Sequence, residues 1–60
     1  MKVKYRLKSI KTGNYVHFVE DMIQWGYLSE ATEFNSLAEI EKHNIVNPTS
    51  IIVEAFLSND

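Results

Sequence analysis

Residues 2–9 alternate without a break: Lys2, Lys4, Arg6 and Lys8 interleave with Val3, Tyr5, Leu7 and Ser9. Successive side chains on a strand point to opposite faces, so this period of two separates a cationic face from a mainly apolar one. On a helix the same residues would spread around the whole circumference. The segment is therefore read as a strand that buries one side and wets the other. Its natural partner follows at once, because Asn14-Tyr15-Val16-His17-Phe18-Val19 is rich in β-formers. Between them lies Lys11-Thr12-Gly13-Asn14, whose glycine can take the positive φ of a tight turn. A β-hairpin is the expectation.

Taking Thr12-Gly13 as a two-residue loop pairs Lys11 with Asn14, Leu7 with Phe18, Ser9 with Val16 and Tyr5 with Glu20. Tyr15 then lies across from Ile10 on the opposite face. A slip of one residue would scatter the apolar groups over both faces, so this register is preferred. The first core set is Val3, Tyr5, Leu7, Val16 and Phe18.

The stretch 20–28 has two readings. Glu20-Asp21 can turn the chain into a third strand, Met22-Ile23-Gln24-Trp25, ending at Gly26, and the β-propensity of Trp25 and Tyr27 favours this. The alternative is a helical turn or two over 19–25, since Val19, Met22 and Ile23 also fit i, i+3, i+4. Beyond Leu28, the three-residue repeat of Leu28, Ala31 and Phe34 suits a short helical turn. Ser36-x-x-Glu39 is a capping box. A helix then carries Leu37 and Ile40 as its apolar stripe and stops near His43-Asn44, with asparagine in the left-handed position. Asn47-Pro48-Thr49-Ser50 reads as a loop. The β-branched start of Ile51-Ile52-Val53-Glu54-Ala55-Phe56-Leu57 predicts a well-buried strand. The expected class is α+β: one domain over 1–60, with a small antiparallel sheet covered by one helix.

Composition narrows the function classes. A chain of 60 residues buries only ~60% of its unfolded surface, so its core is thin. Without cysteine there is neither a disulfide nor a thiolate zinc site. No apolar run approaches the ~18 residues of a membrane span, and a cytoplasmic protein is expected. Charge is divided unevenly: residues 1–19 carry +5 and residues 20–60 carry −7. A net charge of −2 is not that of an ordinary nucleic-acid binder.

Candidate sites are few. Glu39 and His43 share the i, i+4 spacing of a chelating pair, which is also that of a surface pair; with His17 remote, no metal site is expected. No phosphate loop, nucleophile elbow or metalloprotease motif occurs, so neither an enzyme nor a cofactor is expected. Lys2, Lys4, Arg6 and Lys8 repeat at roughly 6.5–7 Å along a strand, close to phosphate spacing, with Tyr15 as a stacking surface. Equally, they can guard an outer strand against aggregation or pair with Glu20 and Glu54. Trp25 and Tyr27 are interface-type residues, although Trp25 can also be the largest core side chain.

Lys11-Thr12-Gly13-Asn14-Tyr15, the later Trp25, and Ala31-x-x-Phe34-x-Ser36-x-x-Glu39 together resemble a pattern of small bacteriophage- or prophage-encoded accessory proteins. The resemblance implies a protein that binds and redirects a host polymerase, nuclease, toxin or defence effector. The residues expected to meet such a partner are Trp25 and Tyr27 as anchors, with Lys4, Arg6 and Lys8 steering toward an acidic surface. In a variant of this reading, an acidic helix face of Glu30, Glu33, Glu39 and Glu41 occupies a nuclease groove. The alternative function is nucleic-acid binding by the basic hairpin. A homodimer through a sheet edge is a third reading, because a thin core can be completed by a second copy.

Overall fold

A computed structural model describes residues 1–20, 22–43 and 50–59. Strands β1 (Lys2–Ser9), β2 (Tyr15–Val19), β3 (Met22–Gly26) and β4 (Ile51–Ser58) form one antiparallel sheet in the order β3-β2-β1-β4. A 3-10 turn spans Leu28–Glu30, and a short helix, α1, the only one among the described residues, spans Leu37–Lys42. The architecture is a small α+β fold, and the strand reading of 22–26 prevails over the helical one. Asp21, the cap at Asn44 and the loop residues Asn47-Pro48-Thr49 lie outside the described residues.

The hairpin forms with a different loop. Lys8 pairs with Tyr15, and Ser9 N–H donates to Asn14 O at 2.8 Å, so four residues rather than two make the connection. Ser9 explains why: its carbonyl accepts from Gly13 N–H at 3.0 Å and its hydroxyl from Thr12 N–H at 3.3 Å. Only Gly13 in this loop has a positive φ, 78°. A two-residue turn with positive φ at both positions would have strained the β-branched Thr12. The expected pairing is thus wrong by two positions. A shift of two preserves the faces, so Leu7 and Phe18 still lie on the same side of the sheet. Tyr15 moves from Ile10 to Lys8.

The two strands part beyond this short ladder, and residues 32–34 fill the gap. Phe34 exchanges both backbone hydrogen bonds with Tyr5, at 2.8 and 2.9 Å, while Thr32 N–H donates to Val16 O at 3.0 Å. Also on the β2 side, the Thr32 hydroxyl accepts from Phe18 N–H at 2.9 Å. The helical turn expected through Leu28, Ala31 and Phe34 forms as the 3-10 turn Leu28–Glu30 with Ala31 at its end, and only Phe34 leaves it, to bridge Tyr5. Leu28 is exposed and Phe34 is fully buried.

Leu7, Val16 and Phe34 are the core, with Tyr5, Phe18, Ile40 and Ile51 packed against it. The Phe34 ring meets Phe18 edge-on at 6.0 Å, and the His43 imidazole stacks on Phe18 at 4.6 Å. Helix α1 begins as expected, with the Ser36 hydroxyl accepting from Glu39 N–H at 3.2 Å. The returning bond of the box goes one residue further, to Asn35 N–H at 2.9 Å. Six residues cannot cover a sheet this wide. Only Ile40 of the apolar stripe packs down, while Leu37 stays exposed.

Strand β4 departs most from expectation. It lies at the sheet edge, and Ile52, Val53 and Leu57 are exposed. Strand β1, the basic strand, is an inner strand between β2 and β4. Its lysines therefore do not guard an edge.

Candidate partner-binding site

The registers sort the sheet into two faces. Across the apolar face Trp25 pairs with Val16 and Ile23 with Phe18 on one side, Leu7 with Val53 and Tyr5 with Ala55 on the other, with Phe34 beside Tyr5 between them and Val3 beside Leu57. The core and α1 cover its middle. Toward the margins Val3, Ile23, Val53 and Leu57 remain exposed, Leu57 at 67%. Trp25 sits at one margin with 48% of its surface exposed. It forms part of a shallow cleft of about 380 Å³, lined also by Ser9, Lys11, Thr12, Asn14 and Ser50. An indole edge beside hydroxyl and amide groups suits a partner segment with one apolar side chain and a polar flank.

Tyr27 follows the end of β3 and is 76% exposed. Its position is set by Glu30, whose carboxylate accepts from Tyr27 N–H at 2.9 Å. That contact needs glycine at position 26, because a Cβ there would lie 2.8 Å from Glu30 Oε1 and 3.2 Å from its Cβ. Trp25 and Tyr27 thus lie at one margin of the sheet, and Trp25 is at the rim, not the core residue that its size also allowed.

Lys4, Arg6 and Lys8 lie on the other face and are engaged within the fold. The Arg6 guanidinium pairs with Glu54 across β1–β4 and rests 4.3 Å from the Phe56 ring centroid and 5.6 Å from that of Tyr15. Tyr15 also donates its hydroxyl to Glu54 at 3.2 Å. Arg6 and, less strongly, Tyr15 hold the Glu54 carboxyl below its ordinary range, against the opposing effect of partial desolvation. Lys8 stands 5.8 Å from the Tyr15 ring centroid. Lys4 pairs with Glu33 at 3.7 Å. Tyr15, only 8% exposed, lies beneath these cations and offers no face for a stacked base.

The acidic face also differs from its expectation. Glu30 belongs to the 3-10 turn, Glu33 precedes α1 and pairs with Lys4, and Glu39 caps Asn35. They do not form one helical row. What sequence reasoning missed is the exposure of Ile23, Val53 and Leu57, together with the cleft beside Trp25. No local pattern announces it, since exposure there follows from the order of strands.

No helix among the described residues is long and apolar enough to cross a membrane. Comparison of the chain with protein-family models, curated proteins and solved structures finds no match.

Proposed function

We propose that this chain is a small protein-binding module acting by stoichiometric contact, and that Trp25 and Tyr27 anchor its partner. The observation that carries the reading is the half-exposed Trp25 at the rim of an apolar sheet face, beside a cleft with polar walls. Aromatic side chains in that setting are the usual centres of binding energy. The resemblance to phage accessory proteins directs the proposal to a host protein in the bacterial cytoplasm, inhibited or modulated by occlusion. Polymerase, nuclease, toxin and defence effector remain within it.

The nucleic-acid alternative is weakened by the internal engagement of Lys4, Arg6 and Lys8, since a phosphate would have to compete with Glu33, Glu54 and the Tyr15 and Phe56 rings. Those three cations accordingly pass from steering residues to parts of the folded sheet.

The test is capture from bacterial lysate with wild type and Trp25→Ala, followed by reconstitution from purified components. One host protein should bind wild type in equal proportion and bind Trp25→Ala about 30-fold more weakly, the loss typical of a buried interface tryptophan. A reconstituted complex indifferent to Trp25→Ala contradicts the site. A salt-sensitive gel shift of random-sequence DNA or RNA, with no protein retained, would favour the alternative.

A further inference from the structure

Independently of the Trp25 surface, we propose that β4 is a self-association edge. Two copies of this chain pair through β4, antiparallel about a two-fold axis at Ala55, and join two four-stranded sheets into one of eight strands.

The backbone alternation carries the argument. Ile10 N–H donates to Ser50 O at 2.9 Å, and the β1–β4 ladder continues unbroken from Ser9↔Ile51 to Lys2↔Ser58. In an antiparallel ladder alternate residues turn their N–H and C=O to the same neighbour. The even-numbered residues of β4 therefore face β1, while Ile51, Val53, Ala55 and Leu57 turn theirs outward. Strand β1 confirms the phase from its other side, where Tyr5 and Ser9 donate to Phe34 and Asn14. Among the described strands none pairs with the outer side of β4.

Among the described residues this edge lacks the features that discourage strand addition. Its eight residues contain no proline or lysine, and its ladder has no bulge. Its one charge, Glu54, is bound by Arg6 of the adjacent strand. The opposite edge, β3, is shorter at five residues.

Charge and exposure select the register. An axis at Glu54 would set two carboxylates directly opposite each other, which is unfavourable. An axis at Val53 would leave Leu57, the most exposed side chain of the strand's apolar face, beyond the paired region. An axis at Ala55 places Leu57 against the second copy's Val53, and Ala55 against its own equivalent. On the other face it brings the second copy's Glu54 beside Phe56, where the Arg6 guanidinium already rests at 4.3 Å from the ring centroid. Both apolar faces then lie on one side of the joined sheet, with Trp25 on the outermost strands. A contact of one strand per copy is small for a stable interface, so association should depend strongly on concentration.

Sedimentation velocity over a wide concentration range tests this, using wild type, Ala55→Lys and Ala55→Glu. Ala55 is exposed, and circular dichroism should show both variants folded like wild type. Wild type should pass from monomer toward dimer as concentration rises. Each variant alone should remain monomeric, because like charges meet at the axis, and an equimolar mixture of the two should recover a dimer. Three results overturn the proposal: wild type monomeric at its highest soluble concentration, Ala55→Lys dimerising like wild type, or a mixture that stays monomeric while wild type dimerises.

Discussion

Glu54 shows how a single residue can decide what a row of cations is for. Read along β1, Lys4, Arg6 and Lys8 look like a phosphate track. Across the sheet, Glu54 accepts from Arg6 and from the Tyr15 hydroxyl, and the guanidinium lies over Phe56. The cationic face is thereby tied into a polar-aromatic cluster. Since the folded state holds the Glu54 carboxyl below its ordinary range, the folded chain binds fewer protons than the unfolded chain in that window, and stability rises with pH there. The stabilisation is complete above the unfolded glutamate value of about 4.3 and is lost as pH falls through the lower folded value. Urea melts across the acidic range should show wild type weakening in that window. Glu54→Gln should lack this component and give a flatter profile; profiles of equal slope would deny that the ion pair contributes.

The elements are held together by a segment that is neither helix nor full strand. Residues 32–34 insert between β1 and β2, bonded to Tyr5 on one side and to Val16 and Phe18 on the other, and deliver Phe34 into the core. Replacing a buried Phe by Ala costs about 3–5 kcal/mol, against a total stability of about 3–9 kcal/mol for a chain of this length. Phe34→Ala should therefore lose about 3–5 kcal/mol, half or more of a stability near the middle of that range. Leu57→Ala, on an exposed strand position, should stay within about 0.5 kcal/mol of wild type. Denaturant melts check both, with a Phe34→Ala loss under about 1 kcal/mol excluding this role for the segment. The contrast marks what was legible in the sequence. Alternation in β1 revealed the faces, Ser36 and Glu39 revealed where α1 starts, and Gly13 revealed the turn, because each signal is local. The loop length depended on Ser9 collecting two donors. The insertion of Phe34 depended on a gap opening between β1 and β2, which no spacing along the chain encodes.

For the molecule as a whole, the consequence is a sheet wider than its cover. Helix α1 reaches the middle through Ile40, and His43 beyond its end caps the Phe18 ring, leaving apolar side chains exposed at both margins. Strand order produces this, since among the described strands β3 and β4 each have one neighbour. That is also why the apolar run of β4 misled, as its β-branched residues suit an edge strand as well as a central one. Trp25 was legible as a large aromatic residue, but its place at the rim was not. One margin is proposed as the seat of a host protein and the other as a seam between two copies. The first of these requires the Trp25 side of the sheet to stay open in the free protein. The chain has a single tryptophan, so its fluorescence reports on that point without ambiguity. With acrylamide as quencher, the account predicts red-shifted emission that is readily quenched in the native protein. Blue-shifted emission that resists quenching until the chain is unfolded would place Trp25 inside the core and contradict it.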